Sequence, residues 1–154
     1  MSTTYINADL RRLVIARASN LCEYCLLHED DTYFGCEVDH IISEKHGGPT
    51  NSDNLAYACM SCNRNKGSDV GSIVMPLNCN IFSRFFNPRC DLWYEHFVLS
   101  NSDEVTIVPL SNVGEVTSRI LGFNSVERLL ERRTLYDIGR YPTAEALQRI
   151  ETSQ

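Results

Sequence analysis

Apolar and polar positions along the chain change period several times, and each change predicts an element. Leu10, Leu13, Val14 and Ala18 recur at helical spacing, with Arg11, Arg12 and Arg17 elsewhere on the surface. Asn7 or Asp9 is the expected N-cap of a helix running to about Ala18. LCEYC (21–25) reads as a tight knuckle, and the polar stretch 26–35 as a loop. CEVDHII (36–42) is short and β-branched, so a strand is expected. EKHGGPTNSD (44–53) has loop composition, and NLAYAC (54–59) is a second short strand or the link to it. A helix over Met60–Lys66, stopped by Gly67, follows. Residues 71–93, with Pro76 and Pro88, look irregular.

Beyond these, EHFVL (95–99) and EVTIVPL (104–110) predict a hairpin across SNSD. Ser111 or Asn112 starts a helix to about Leu121, and Asn124 or Ser125 starts a longer one to about Ile138, with Gly122 and Gly139 as their stops. Pro142 opens a last helix. The expected fold is α+β: a small core over 1–70 and an accessory C-terminal lobe, 71–154, of a hairpin and about three helices. Wound as a helix, residues 125–138 place Val126, Leu129 and Leu130 on one arc, with Tyr136 at its edge. Arg133 falls inside that arc, with Asp137 as its partner. Arg128 and Arg132 lie beside the arc, as a phosphate contact or a solvated face.

The 154 residues suit one domain or a small module with a lobe. No apolar run approaches the roughly 18–20 residues that span a bilayer, and MSTTYINADLRR does not read as a signal peptide. A cytoplasmic protein with no membrane partner is expected. The net charge of −6 counts against a general nucleic-acid binder, with residues 1–70 at −4 and 71–154 at −2. A phosphate-binding surface would have to be local or helped by a bound cation.

Seven cysteines are many for a reducing compartment, where Cys-x-x-Cys pairs more often hold metal than disulfides. Cys22 with Cys25, and Cys59 with Cys62, offer two thiolates each, enough for a closed tetrahedral zinc site of structural type. Cys36, Cys79 and Cys90 lack that spacing and read as ordinary small or buried residues.

Between the pairs lie VDHIISEKHGG (38–48), NSDNL (51–55) and CNRNKG (62–67). Phosphodiester hydrolysis needs a base for water and a cation for the charge on the phosphate and leaving oxygen. A histidine is neutral near pH 7. Asp39 and Asn63 carry hard oxygens suited to Mg²⁺ or Mn²⁺. On a strand, Asp39 and His40 would point to opposite faces.

These motifs, in this order, resemble the HNH (ββα-metal) endonuclease family. The 15- and 9-residue spacings from Asp39 to Asn54 to Asn63 resemble those of the HNH domain in RNA-guided CRISPR effectors. The resemblance implies a ββα-metal core with two zinc knuckles and His40 as general base. It further implies that Asp39 and Asn63 hold the catalytic metal and that Asn54 secures the preceding loop. It also implies DNA as substrate, one strand cut per site, and 5′-phosphate and 3′-hydroxyl ends. Ser43 stands where the family often has proline, and Asn63 where it often has histidine.

Lys45, Arg64 and Lys66 are candidate phosphate contacts or a solvated face. His46 would touch the leaving side of the phosphate or only water. His28 and His96 read as structural or exposed. FNPR (86–89) and WYEHF (93–97) resemble the C-terminal region of a bacterial HNH subgroup. The competing expectation is a non-catalytic zinc module that binds nucleic acid or protein. The sequence leaves the oligomeric state open.

Overall fold

The computed structural model describes residues 4–77 and 80–151. Helix α1 (Ala8–Ala18) starts where the Asn7 side chain accepts the Leu10 N–H, at 2.9 Å, and ends at Ser19 in the left-handed region. Its Val14 and Ala18 pack with Ile6 on Val38, Leu55 and Tyr57, while Leu13 of the predicted stripe is exposed. Those last three residues belong to an antiparallel hairpin of β1 (Cys36–His40) and β2 (Leu55–Cys59), in register from Cys36 opposite Cys59 to His40 opposite Leu55. Helix α2 (Met60–Lys66) leaves β2 directly, so strand, strand and helix form one compact unit.

Residues 71–93 are more ordered than their composition suggests. A short hairpin pairs β3 (Gly71–Ile73) with β4 (Phe82–Arg84). Strands of three residues leave too little periodicity to detect. Cys79 lies outside the described residues. Trp93–His96 is a short helix, α3, so the next strand begins only at Phe97. Strands β5 (Phe97–Leu99) and β6 (Ile107–Pro109) then form the expected hairpin. Helix α4 (Asn112–Ile120) is capped by the Ser111 hydroxyl, and α5 covers Val126–Asp137. Helix α6 (Ala144–Ile150) takes Thr143 as its cap and so starts two residues past Pro142.

The chain is a mixture of helices and small antiparallel sheets, an α+β fold. Its main core joins both halves of the sequence. Tyr24, Leu27 and Ala58 pack in one cluster with Phe86, Trp93, Phe97, Val116 and Phe123. Polar ties reinforce the joint: Trp93 Nε1 donates to Tyr24 O at 2.9 Å, and Arg89 bonds the buried Glu23 inside the first knuckle. Arg149, from α6, lies 3.7 Å from the same carboxylate. These contacts give FNPR and WYEHF structural work.

Helix α5 faces the other way from the expectation. Val126 and Leu130 are 79% and 65% exposed, whereas Arg128 is 7% and Arg132 0% exposed. The interior carries acceptors, not aliphatic carbons, at these positions. Arg132 Nε donates to Val105 O and its Nη2 to Phe123 O, both at 2.6 Å, and Nη2 also donates to Asn124 Oδ1 at 3.0 Å. Two guanidiniums thus replace the apolar stripe, since buried charge persists when hydrogen-bonded. Neither is presented to a DNA backbone. Arg133 is half-exposed and does pair with Asp137, at 3.6 Å.

Candidate active site and metal centre

Cys22 and Cys25 sit on the knuckle that follows α1. Cys59 ends β2 and caps α2, its sulfur accepting the Cys62 N–H at 3.5 Å. The knuckle turns back through Leu26, which has φ 65°, and is closed by Cys22 N–H to Leu27 O at 2.8 Å. All four cysteines are buried, with their sulfurs within 4.8 Å of one another. A tetrahedron with zinc–sulfur bonds of about 2.3 Å has edges of about 3.8 Å. The Cys25 and Cys59 sulfurs are 3.7 Å apart. Burial, reinforced by hydrogen bonds with Cys25 and Cys59, pushes the Cys22 thiol well above its ordinary pKa. Hydrogen bonds with the other three sulfurs do the same to Cys62, whereas Cys25, against its burial, and Cys59 are lowered by their sulfur neighbours. Four thiolates therefore persist together only around a cation, and the donor set fits zinc. Cys36 is half-buried beside this cluster and outside it, and Cys90 is exposed rather than buried.

On the other side of β1 lies a cleft of about 840 Å³, lined by Glu37, Asp39, His40, Lys45, Asn63 and Arg64 among others. Period two on β1 sends Glu37 and Asp39 outward and Val38 and His40 inward. His40 is 2% exposed. Its Nε2 meets the Thr50 hydroxyl at 2.7 Å, while its buried Nδ1 has no hydrogen-bond partner among the described residues. Asn63, on α2, directs its amide Nδ2 toward Glu37 at 3.5 Å. Asp39 and Asn63 thus bring a carboxylate and an amide to one cleft, a hard-oxygen donor set that suits Mg²⁺ or Mn²⁺.

Asn54 is buried at the start of β2. Its Oδ1 accepts the Ile42 N–H at 2.9 Å, and its Nδ2 donates to Ile42 O at 2.8 Å and Pro49 O at 2.9 Å. The loop closes tightly on it, because a Cβ at Gly48 would stand 1.8 Å from Ile42 O and 2.7 Å from Asn54 Nδ2. The loop carrying Thr50 is therefore fixed against the end of β1.

The four basic candidates part company. Lys45 and Arg64 line the cleft, and His46 is exposed outside it. Lys66 is buried, with its ammonium donating to His40 O at 2.9 Å and lying 3.5 Å from Asp39 Oδ2. It faces the interior, where it braces both residues, instead of the open cleft. Burial pushes its pKa down, against the pull of Asp39. His28 accepts the Asp30 N–H at its Nδ1, and His96 bonds the Ser111 hydroxyl at 2.6 Å, so both are structural.

Two site residues escaped the sequence reading. Glu37 was signalled by its place two residues before Asp39 on the same strand face. Thr50 carried no local signal, since its link to His40 crosses ten residues of loop.

No helix among the described residues is long and apolar enough to cross a membrane. Searches of curated proteins and of solved structures returned no match. The family model described as HNH endonuclease matches residues 22–69, the span that holds both cysteine pairs, β1, the Asn54 loop, β2 and α2. Residues 22–69, under half of the chain, are similar to the HNH endonuclease family, which suggests nuclease activity in general.

Proposed function

We propose that the protein hydrolyses DNA phosphodiesters with one divalent cation, using His40 as general base, and that its zinc is structural. The observation that carries this reading is the pairing at His40. His40 Nε2 is paired with the Thr50 hydroxyl, and Nδ1 has no partner among the described residues. In the tautomer this reading takes, Nε2–H donates to Thr50 and the lone pair is on Nδ1. A buried nitrogen left without a partner is costly unless a water or substrate atom fills the place. His40 Nδ1 takes the proton of the attacking water. The water oxygen then bonds to phosphorus as the bond from phosphorus to the 3′ oxygen breaks, and the 3′ oxygen leaves as an alkoxide that takes a proton from a second, solvent water to become the 3′-hydroxyl.

The cation, when held by Asp39 and Asn63, offsets charge on the phosphate and leaving oxygen. Glu37 turns the Asn63 amide so that its Oδ1 faces away from the carboxylate. Lys66 steadies the backbone of His40 and the carboxylate of Asp39. Lys45 and Arg64 contact the phosphates flanking the cut, which supplies the local positive charge that a chain of −6 otherwise lacks.

Plasmid nicking with Mg²⁺ or Mn²⁺ tests the assignment. His40→Ala is expected to lower the rate by at least ~10²-fold with DNA binding retained. Asp39→Ala and Asn63→Ala are expected to raise the metal concentration required. Nicking by His40→Ala at the wild-type rate refutes the mechanism.

A further inference from the structure

The zinc centre reaches beyond the matched domain. Arg128, on α5, is 7% exposed and points its guanidinium into the four-cysteine cluster. Nη2 lies 2.9 Å from Cys25 Sγ and 3.4 Å from Cys59 Sγ, one sulfur from each pair. Nη1 is held from the other side by Glu131 at 3.2 Å. We infer that Arg128 is part of the zinc centre, donating to the Cys25 and Cys59 sulfurs and offsetting the excess negative charge of the four-thiolate shell. The inference rests on the reading of the cluster as a structural zinc site.

Charge balance supports it. Four thiolates around Zn²⁺ leave a net charge of −2 in a buried place. A permanent cation against two of the sulfurs halves that excess. Glu131 offsets part of this cation's charge from the Nη1 side at 3.2 Å, while Nη2 still donates to both sulfurs. Thiolate sulfurs accept from the guanidinium N–H groups more strongly than protonated thiols do. Hydrogen bonds to metal ligands commonly change metal affinity by about 10–100-fold. Residues 126–137, outside the family match, would then govern how firmly the zinc is held.

The test uses the full chain and the variants Arg128→Met, Arg128→Lys and Arg132→Met. Zinc release into excess chelator is followed well below each melting temperature. Cobalt(II) replaces zinc in a parallel series, and the sulfur-to-cobalt charge-transfer band is recorded. Arg128→Met is expected to release zinc 10–100-fold faster and to move the band to lower energy, because the sulfur lone pairs lose their N–H donors. Arg128→Lys, which keeps the charge, should fall between. Arg132→Met removes a buried guanidinium that touches no sulfur, so its band should stay in place. An unmoved band in Arg128→Met, or zinc loss no greater than that of Arg132→Met, overturns the inference. If Arg128→Met does not fold, an unmoved band in Arg128→Lys does the same. Wild-type protein purified without zinc, and unable to take it up, overturns the zinc reading itself.

Discussion

Asn54→Ala deletes a side chain whose three hydrogen bonds reach Ile42 N–H, Ile42 O and Pro49 O. At a net value near 1 kcal/mol each, their loss removes about 3 kcal/mol from the closed state of the loop. That is a factor of about 10² in the opening equilibrium of residues 42–49. The main core lies elsewhere, around Trp93, Phe97 and Phe123, so global stability should fall by less than the local value. Native-state hydrogen exchange reads the difference: the Ile42 amide should exchange about 10²-fold faster, while amides in α4 change little. Asn54→Asp keeps the acceptor for Ile42 N–H but loses both donors, so the Ile42 amide should keep more protection than in the alanine variant. Nicking should fall in both, because the loop also carries Thr50. An Ile42 amide exchanging at the wild-type rate in Asn54→Ala would refute the view that this side chain holds the loop.

Thr50→Val removes the partner of His40 Nε2 and should lower kcat about tenfold, the value of one hydrogen bond, with the metal requirement unchanged and Thr50→Ser restoring the rate. Arg132→Met leaves the buried carbonyls of Val105 and Phe123 without their donor and should cost roughly 2–5 kcal/mol, read as a lower melting temperature. An unchanged melting temperature would mean that these contacts carry no load. The Asp103 carboxyl is held down to about 2 by hydrogen bonds from the Thr106 hydroxyl and from the Thr106 and Val105 N–H groups. A folded pKa below the unfolded one stabilises above about pH 4 and loses its effect as pH falls through the folded value. Melting curves between pH 5 and pH 2 should therefore fall less steeply in Asp103→Asn than in wild type.

What could be read from sequence follows from how far each interaction reaches. The first cap lies three residues from its N–H, and the two cysteine pairs announce themselves by spacing. Asn54, β1 and α2 sit in motifs whose order is informative. The inward turn of α5 was hidden because a periodicity argument counts apolar carbons, whereas Arg128 and Arg132 are buried by sulfurs and carbonyls from other elements. The Cys25 partner of Arg128 is 103 positions away. Lys66 was misleading for a related reason. At the end of a short helix near a phosphate site a lysine suggests solvent, yet the carbonyl of His40 and the carboxylate of Asp39 lie within reach on the inner side. The β3–β4 hairpin is too short to leave a pattern.

Glu23, buried within the first cysteine pair, has a consequence for the order in which the protein assembles. Its carboxylate accepts the Tyr57 N–H at 2.9 Å, but its cationic neighbours, Arg89 and Arg149, come from much later in the chain. During synthesis the last cysteine of the cluster emerges 87 residues before Arg149. At ribosomal speeds of about 5–20 residues per second, the interval is roughly 4–17 s. Until Arg89 and then Arg149 are made, the Glu23 carboxylate lacks its cationic neighbours. Metal capture can begin as soon as Cys62 is out, but the carboxylate beside it gains its second cation only when Arg149 folds back onto it. Glu23 and Arg149 are thus joined in time as well as in space.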